Sequence, residues 1–88
     1  MIINEIIKTT PELHTQILYL LKQLTTKEIP FTYDTFNSIV NSKHSILIGA
    51  FDDKNLVGIL TLAIVQIPTS KNGRIEDVVV DKDYRGKA

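Results

Sequence analysis

The sequence predicts a mixed α/β domain of the α+β type, a mostly antiparallel sheet with two helices in the order β-α-α-β-β-β. Three observations lead there. The amino-terminal segment is rich in isoleucine and too short for a helix, apolar residues then recur at helical spacing, and three β-type runs follow with turn residues between them.

Residues 1–8 hold Ile2, Ile3, Ile6 and Ile7, a β-branched cluster that reads as a first strand whose partner lies further on. Thr9 or Thr10 then caps a helix. Pro11 suits its first turn, and Glu12 stands three residues after Thr9, the spacing of a capping box. Leu13, Ile17, Leu20, Leu21 and Leu24 fall on one face of a helix ending near Thr25, and that face must be buried. Residues 27–31 contain Pro30 and read as a connection. Thr32 caps a second, shorter helix with Phe36, Ile39 and Val40 on one side.

Residues 45–51 form a β-type run, Asp52-Asp53-Lys54-Asn55 a turn, and residues 56–67 a longer apolar run, together a β-hairpin. Residues 68–73 read as a second loop and residues 74–80 as the fourth strand. Within these runs, Gly58 marks a bulge or a close backbone approach, and Gly73 reads as a turn residue.

With 88 residues the chain makes one domain, 1–88, burying roughly 60 to 65 per cent of its unfolded surface. It has no cysteine, so a disulfide framework and a thiolate metal site are excluded. His14 and His44 are too few for a catalytic zinc site, and no metal is expected. Ten basic residues balance ten acidic ones, with no cationic stripe to neutralise phosphates, so nucleic acid is not an expected partner. No apolar run reaches the roughly 18 residues of a membrane span and the amino terminus lacks a basic signal segment, so a cytoplasmic chain without membrane contact is expected.

The chemistry concentrates in residues 75–88. Ile75-Glu76-Asp77-Val78-Val79-Val80 is an apolar strand with two acids, and it runs through Asp81-Lys82-Asp83-Tyr84 into Arg85-Gly86-Lys87-Ala88. That ending, the Leu56-Val57-Gly58-Ile59 opening of the long strand and the order of elements resemble the amino-terminal half of a GCN5-related N-acetyltransferase (GNAT) domain. The resemblance implies acetyl-CoA as cosubstrate and a small-molecule amine as acceptor. It also implies that backbone groups at Val79 and Val80 pair with the pantetheine arm, and that the turn follows the family's Arg/Gln-x-x-Gly-x-Gly/Ala pattern, whose amides bind pyrophosphate.

Arg85 matches the first position of that pattern, Gly86 and Lys87 fill the two free ones, and Ala88 stands where the family usually has Gly. Small residues there let main-chain N–H groups approach phosphate oxygens at a helix amino terminus. The chain stops inside this motif. The expectation is a domain truncated before the coenzyme-binding helix, with a site incomplete or inactive in the lone chain.

Acetyl transfer needs a neutral amine, so a carboxylate within reach must accept the ammonium proton. Glu76 is the first candidate and Asp77 the second. On a regular strand their side chains point to opposite faces, so at most one faces the cleft unless a bulge resets the parity. Both are also what an edge strand carries to block aggregation. The tyrosine that serves the departing thiolate in the family lies in its other half and is not Tyr84, whose ring is expected to pack under the turn. Tyr19 and Tyr33 read as core or rim residues, and His14 and His44 as surface histidines.

An unpaired edge at Val78, Val79 and Val80 calls for a cover, either a second copy in a homodimer or a complementary half-domain. Two further readings stand beside the enzyme: a non-catalytic GNAT remnant, and a dimeric interaction module whose edge receives a partner strand.

Overall fold

A computed structural model of the chain describes residues 1–85. The elements are β1 (Ile2–Glu5), α1 (Pro11–Leu24), α2 (Tyr33–Asn41), β2 (Ser45–Asp52), β3 (Asn55–Ile67), β4 (Ser70–Val80) and a single 3₁₀ turn, Lys82–Tyr84. The strands form one antiparallel sheet in the order β1-β2-β3-β4. The α+β class and the element order are those the sequence predicts.

Helix α1 starts where side-chain chemistry dictates. The Thr10 hydroxyl accepts the Leu13 N–H at 3.1 Å, and Pro11, which has no N–H to leave unpaired, occupies the first helical position. The cap is thus the second threonine, which puts Glu12 too early in the first turn to close a capping box. Thr9 is used differently: its hydroxyl donates to the Asn37 side-chain oxygen and accepts from the Tyr33 hydroxyl at 3.2 Å, tying the approach to α1 onto α2. Thr32 caps α2 by accepting the Thr35 N–H at 3.1 Å.

The buried face of α1 is Ile17 and Leu20, with Leu13 and Leu21 packed at its border, and α2 contributes Phe36 with Ile39 and Val40 beside it. They meet Leu47, Leu56, Ile59 and Val79 from the sheet in one core with Ile6 and Phe31. Removing a side chain such as Leu20 from such a core costs about 2–5 kcal/mol. Leu24, read from spacing as part of the stripe, is 48 % exposed at the end of α1. Gly49 sits where the core is tightest, since a Cβ there would lie 2.8 Å from Leu56 Cδ1 and 2.9 Å from Phe51 Cε2.

The β3–β4 hairpin corrects the expected loop at 68–73. Only Pro68 and Thr69 connect the strands; Ser70, Lys71, Asn72 and Gly73 pair with Ile67, Gln66, Val65 and Ile64. Polar side chains do not prevent pairing in a ribbon whose end projects into water, because the ladder is made by backbone groups. Gly73 is therefore a strand residue.

Two bulges interrupt the sheet. Ala50 pairs with Gly58 and Phe51 with Leu56, which leaves Val57 as the extra residue and places Gly58 directly beside it. On the other side of β3, Ile59 pairs with Val79 and Thr61 with Glu76, so Leu60 alone faces both Asp77 and Val78. Asp77 takes φ 52°, a left-handed conformation that aspartate tolerates better than most residues.

Candidate functional site

The bulge at Asp77 decides where the two acids of β4 lie. Glu76 and Val79 are three residues apart, yet they pair with Thr61 and Ile59, which are two apart and share a face of β3. The extra residue thus brings Glu76 to the same side of the sheet as the buried Val79. Glu76 is about half exposed and its Oε1 lies 3.6 Å from Arg74 Nη1, an ion pair open to water.

Asp77 lines a cleft between β4 and the chain joining the two helices. The cleft holds about 250 Å³ and is walled by Leu21, Leu24, Ile29, Pro30 and Phe31. A narrower extension of about 50 Å³ continues from Asp77 past Thr61 to Ile59 and Leu47 at the sheet. Among the described residues no donor pairs with the Asp77 carboxylate, whereas Glu76 is engaged by Arg74. One strand therefore presents two exposed acids in different settings, Glu76 paired with Arg74 and Asp77 at the margin of an apolar cleft.

The end of β4 sets which backbone groups reach the free edge of the sheet. The Asp81 N–H donates to the Val57 carbonyl at 2.8 Å. That bond makes Gly58 and Val80 a non-hydrogen-bonded pair, so the N–H and C=O of Val80 point away from β3. Those of Val79 point toward Ile59, and its side chain is buried in the core. Of the two valines expected to offer backbone groups to a coenzyme, Val80 is the one that turns them outward.

The following turn is built from its own polar groups. Asp81 is buried, its Oδ1 accepts the Asp83 N–H at 3.1 Å, and its carbonyl accepts the Tyr84 N–H at 2.8 Å. Gln23 of α1 reaches across to accept the Lys82 N–H at 2.8 Å, while the other end of its amide, Nε2, is buried without a partner among the described residues. Arg85 folds back so that its Nε–H donates to the Val80 carbonyl at 2.9 Å. Gly86, Lys87 and Ala88, the remaining expected coenzyme contacts, lie outside the described residues.

Tyr84 packs beside this turn and donates its hydroxyl to Asp52 Oδ2 at 3.0 Å, linking the turn to the β2–β3 hairpin. The bond to Asp52, and then the negative charge of that carboxylate, push the phenol above its ordinary pKa. A hollow of about 440 Å³ between α1 and this turn is lined by Thr15, Gln16, Tyr19, Asp81 and Tyr84. Among the described residues it has no basic residue in its lining, and it contains neither Glu76 nor Asp77.

His14, expected at the surface, is half-buried and engaged by its neighbours. Its Nε2 lies 2.7 Å from the Phe31 carbonyl, and the ring stacks on Phe31 at 5.1 Å between centroids and meets Tyr33 edge-on at 5.9 Å. Sequence could not show this, because Phe31 comes into range only when the connection after α1 folds back. His44 is exposed, and Tyr19 and Tyr33 lie at the rim. Among the described residues no cluster of His, Cys, Asp and Glu is arranged to hold a metal ion, and no helix is long and apolar enough to cross a membrane.

Comparison with known proteins places the fold. The model of the acetyltransferase (GNAT) family matches residues 8–88. An aminoglycoside acetyltransferase from an uncultured soil metagenomic sample, solved with sisomicin, is similar with TM-score 0.81 and 18 % identity, over 98 % of this chain and 59 % of that one. Glucosamine-6-phosphate N-acetyltransferase from Arabidopsis thaliana gives TM-score 0.74 at 22 % identity, over 99 % and 65 %. An aminoglycoside 6'-N-acetyltransferase complexed with coenzyme A gives 0.76 at 23 %, over 98 % and 47 %. The chain thus spans less than two thirds of the length of these structures, and at such identities they show the fold alone. No curated protein matches the sequence.

Proposed function

Because the chain belongs to the GNAT acetyltransferase family, we propose that it serves acetyl transfer from acetyl-CoA to the amino group of a small molecule. The observation that carries this reading is the Asp77 bulge. It leaves Asp77 in the lining of the cleft and turns Glu76 to the side of the sheet that carries Val79, a few residues before the outward-facing backbone of Val80.

The residues present fit that chemistry. A free N–H and C=O on an edge strand are the partners an extended amide chain needs, and Val80 offers both, the carbonyl once Arg85 releases it. Arg85 and Lys87, with the amides of Gly86, Lys87 and Ala88, supply positive charge and donors for a pyrophosphate. When bound, acetyl-CoA supplies a thioester. The acceptor ammonium first gives its proton to a carboxylate, which we assign to Glu76 directly or through water. The nitrogen lone pair then forms the new C–N bond as the C–S bond breaks, and the second proton lost from that nitrogen passes to the departing sulfur, so a neutral amide and a free thiol result.

The test is thiol release by the 88-residue chain with acetyl-CoA and a panel of primary amines. Glu76→Gln should lower turnover while leaving acetyl-CoA binding in place, and unchanged turnover would remove Glu76 from the role of base.

A second reading rests on a different observation. Along β4, Ile75, Val78 and Val80 are exposed at 62 %, 53 % and 41 %, and β4 is an edge strand among the described residues. An apolar edge of this kind accepts a further strand, and a second copy of the chain is the simplest donor. Light scattering decides it: a dimer whose mass halves on Val78→Lys supports strand pairing, and a monomer at micromolar concentration removes it.

A further inference from the structure

Resting on the acetyl-transfer reading above, we propose that the acceptor is a monocationic amine with an apolar body, an arylalkyl- or alkylamine, rather than a polyamine or an amino sugar. Its ammonium lies against Asp77 and its body against Leu21, Ile29, Pro30 and Phe31.

The cleft walls argue for the apolar body. Five of the residues lining it are Leu21, Leu24, Ile29, Pro30 and Phe31, and the polar ones are Thr25, Thr35 and Asp77. A sugar ring there would exchange water for hydrocarbon at each hydroxyl, at a cost its few possible hydrogen bonds would not offset. The volume, about 250 Å³, equals that of roughly eight liquid waters, which suits a small amine.

Charge argues for a single cation. Asp77 is the only acid lining the cleft among the described residues, and no basic side chain neutralises it. The surface that adjoins the cleft shares Thr25, Ile29 and Phe31 with it and adds Lys22, Lys27 and Glu28. An acceptor with a second or third ammonium would extend out of the cleft onto two lysines facing one acid. That arrangement repels further positive charge and selects against polycations.

The experiment is NMR observation of backbone amides of the 88-residue chain, without acetyl-CoA, titrated with phenethylamine, phenethyl alcohol and spermidine. Phenethylamine should shift amides of Leu21, Ile29, Phe31 and Asp77, with the alcohol binding at least about tenfold more weakly for want of the charge. Spermidine should not displace the amine. Asp77→Asn, which keeps a residue tolerant of positive φ, should weaken phenethylamine by about tenfold with the spectrum otherwise retained.

The proposal is overturned if the cleft amides do not move, if the alcohol or the Asn variant binds as well, or if spermidine binds more tightly. Acetyl-CoA binding measured separately keeps the two readings apart. A chain that binds acetyl-CoA but not the amine loses only this proposal, and one that binds the amine but not acetyl-CoA loses the acetyl-transfer reading.

Discussion

The Arg85 Nε–H donates to the Val80 carbonyl at 2.9 Å, so the side chain after the turn caps the one β4 carbonyl that the end of the strand turns outward. Arg85 therefore stands at the join between the two parts of the proposed coenzyme site. It must leave Val80 for an incoming chain of amides to pair there, and its charge is then free for a phosphate.

Replacing Arg85 by alanine should consequently weaken acetyl-CoA binding by about tenfold at low salt, the loss of one charge-assisted contact. The difference should shrink as ionic strength rises, because the contact is exposed and screened. Equal affinity at low salt would show that the guanidinium only caps the strand.

Asp77 holds φ 52° in the bulge, and stability should follow the conformational tolerance of the residue placed there. Asp77→Ala should cost about 1 kcal/mol, Asp77→Asn should be close to neutral, and Asp77→Gly should match or exceed the wild type. Urea unfolding measures all three. An alanine variant as stable as the wild type would mean that the left-handed conformation is not maintained in solution.

The Tyr84 bond to Asp52 gives a pH dependence with a definite sign. The phenol is raised above 10.0 in the folded chain, chiefly by that hydrogen bond and then by the Asp52 charge. A group raised on folding adds stability that is fully present below the unfolded pKa and is lost as pH rises through the folded one. Ultraviolet titration of the wild type minus Tyr84→Phe should show Tyr84 ionising later than in the urea-unfolded chain. Asp52→Asn should bring its titration back down, and no change in that variant would assign the shift elsewhere.

His14 should matter for stability although it lies outside the proposed chemistry. His14→Ala loses the contact to the Phe31 carbonyl and the ring stack, together about 1–2 kcal/mol. His14→Phe should recover the part due to stacking. The comparison is made by chemical denaturation, and equal stability of all three would show that the ring adds nothing to the packing of Phe31.

What the sequence made legible was what local chemistry fixes. The threonine pair Thr9 and Thr10, and then Thr32, announce their helices because a hydroxyl followed by an apolar period has few other uses, though only the structure selects Thr10 over Thr9, and Ile17, Leu20 and Phe36 follow from spacing alone. The strand segment at Ser70 to Gly73 was hidden because its residues are polar and its order comes from the partner strand. The two acids stood out at once. Their placement depended on a bulge of one residue, which shows only in the pairing of Thr61 with Glu76 and Ile59 with Val79. The cleft itself is a product of long-range packing between the chain after α1 and β4, and no short window of sequence contains it.

The central claim is that the end of β4 and its turn bind a coenzyme, and calorimetric titration of acetyl-CoA into the 88-residue chain tests it most directly, with molar mass measured in the same buffer. The account predicts saturable micromolar binding with one coenzyme per chain, weakened in Arg85→Ala. A folded chain that gives no binding heat at any temperature tried, and whose amide spectrum does not respond to acetyl-CoA, would contradict it.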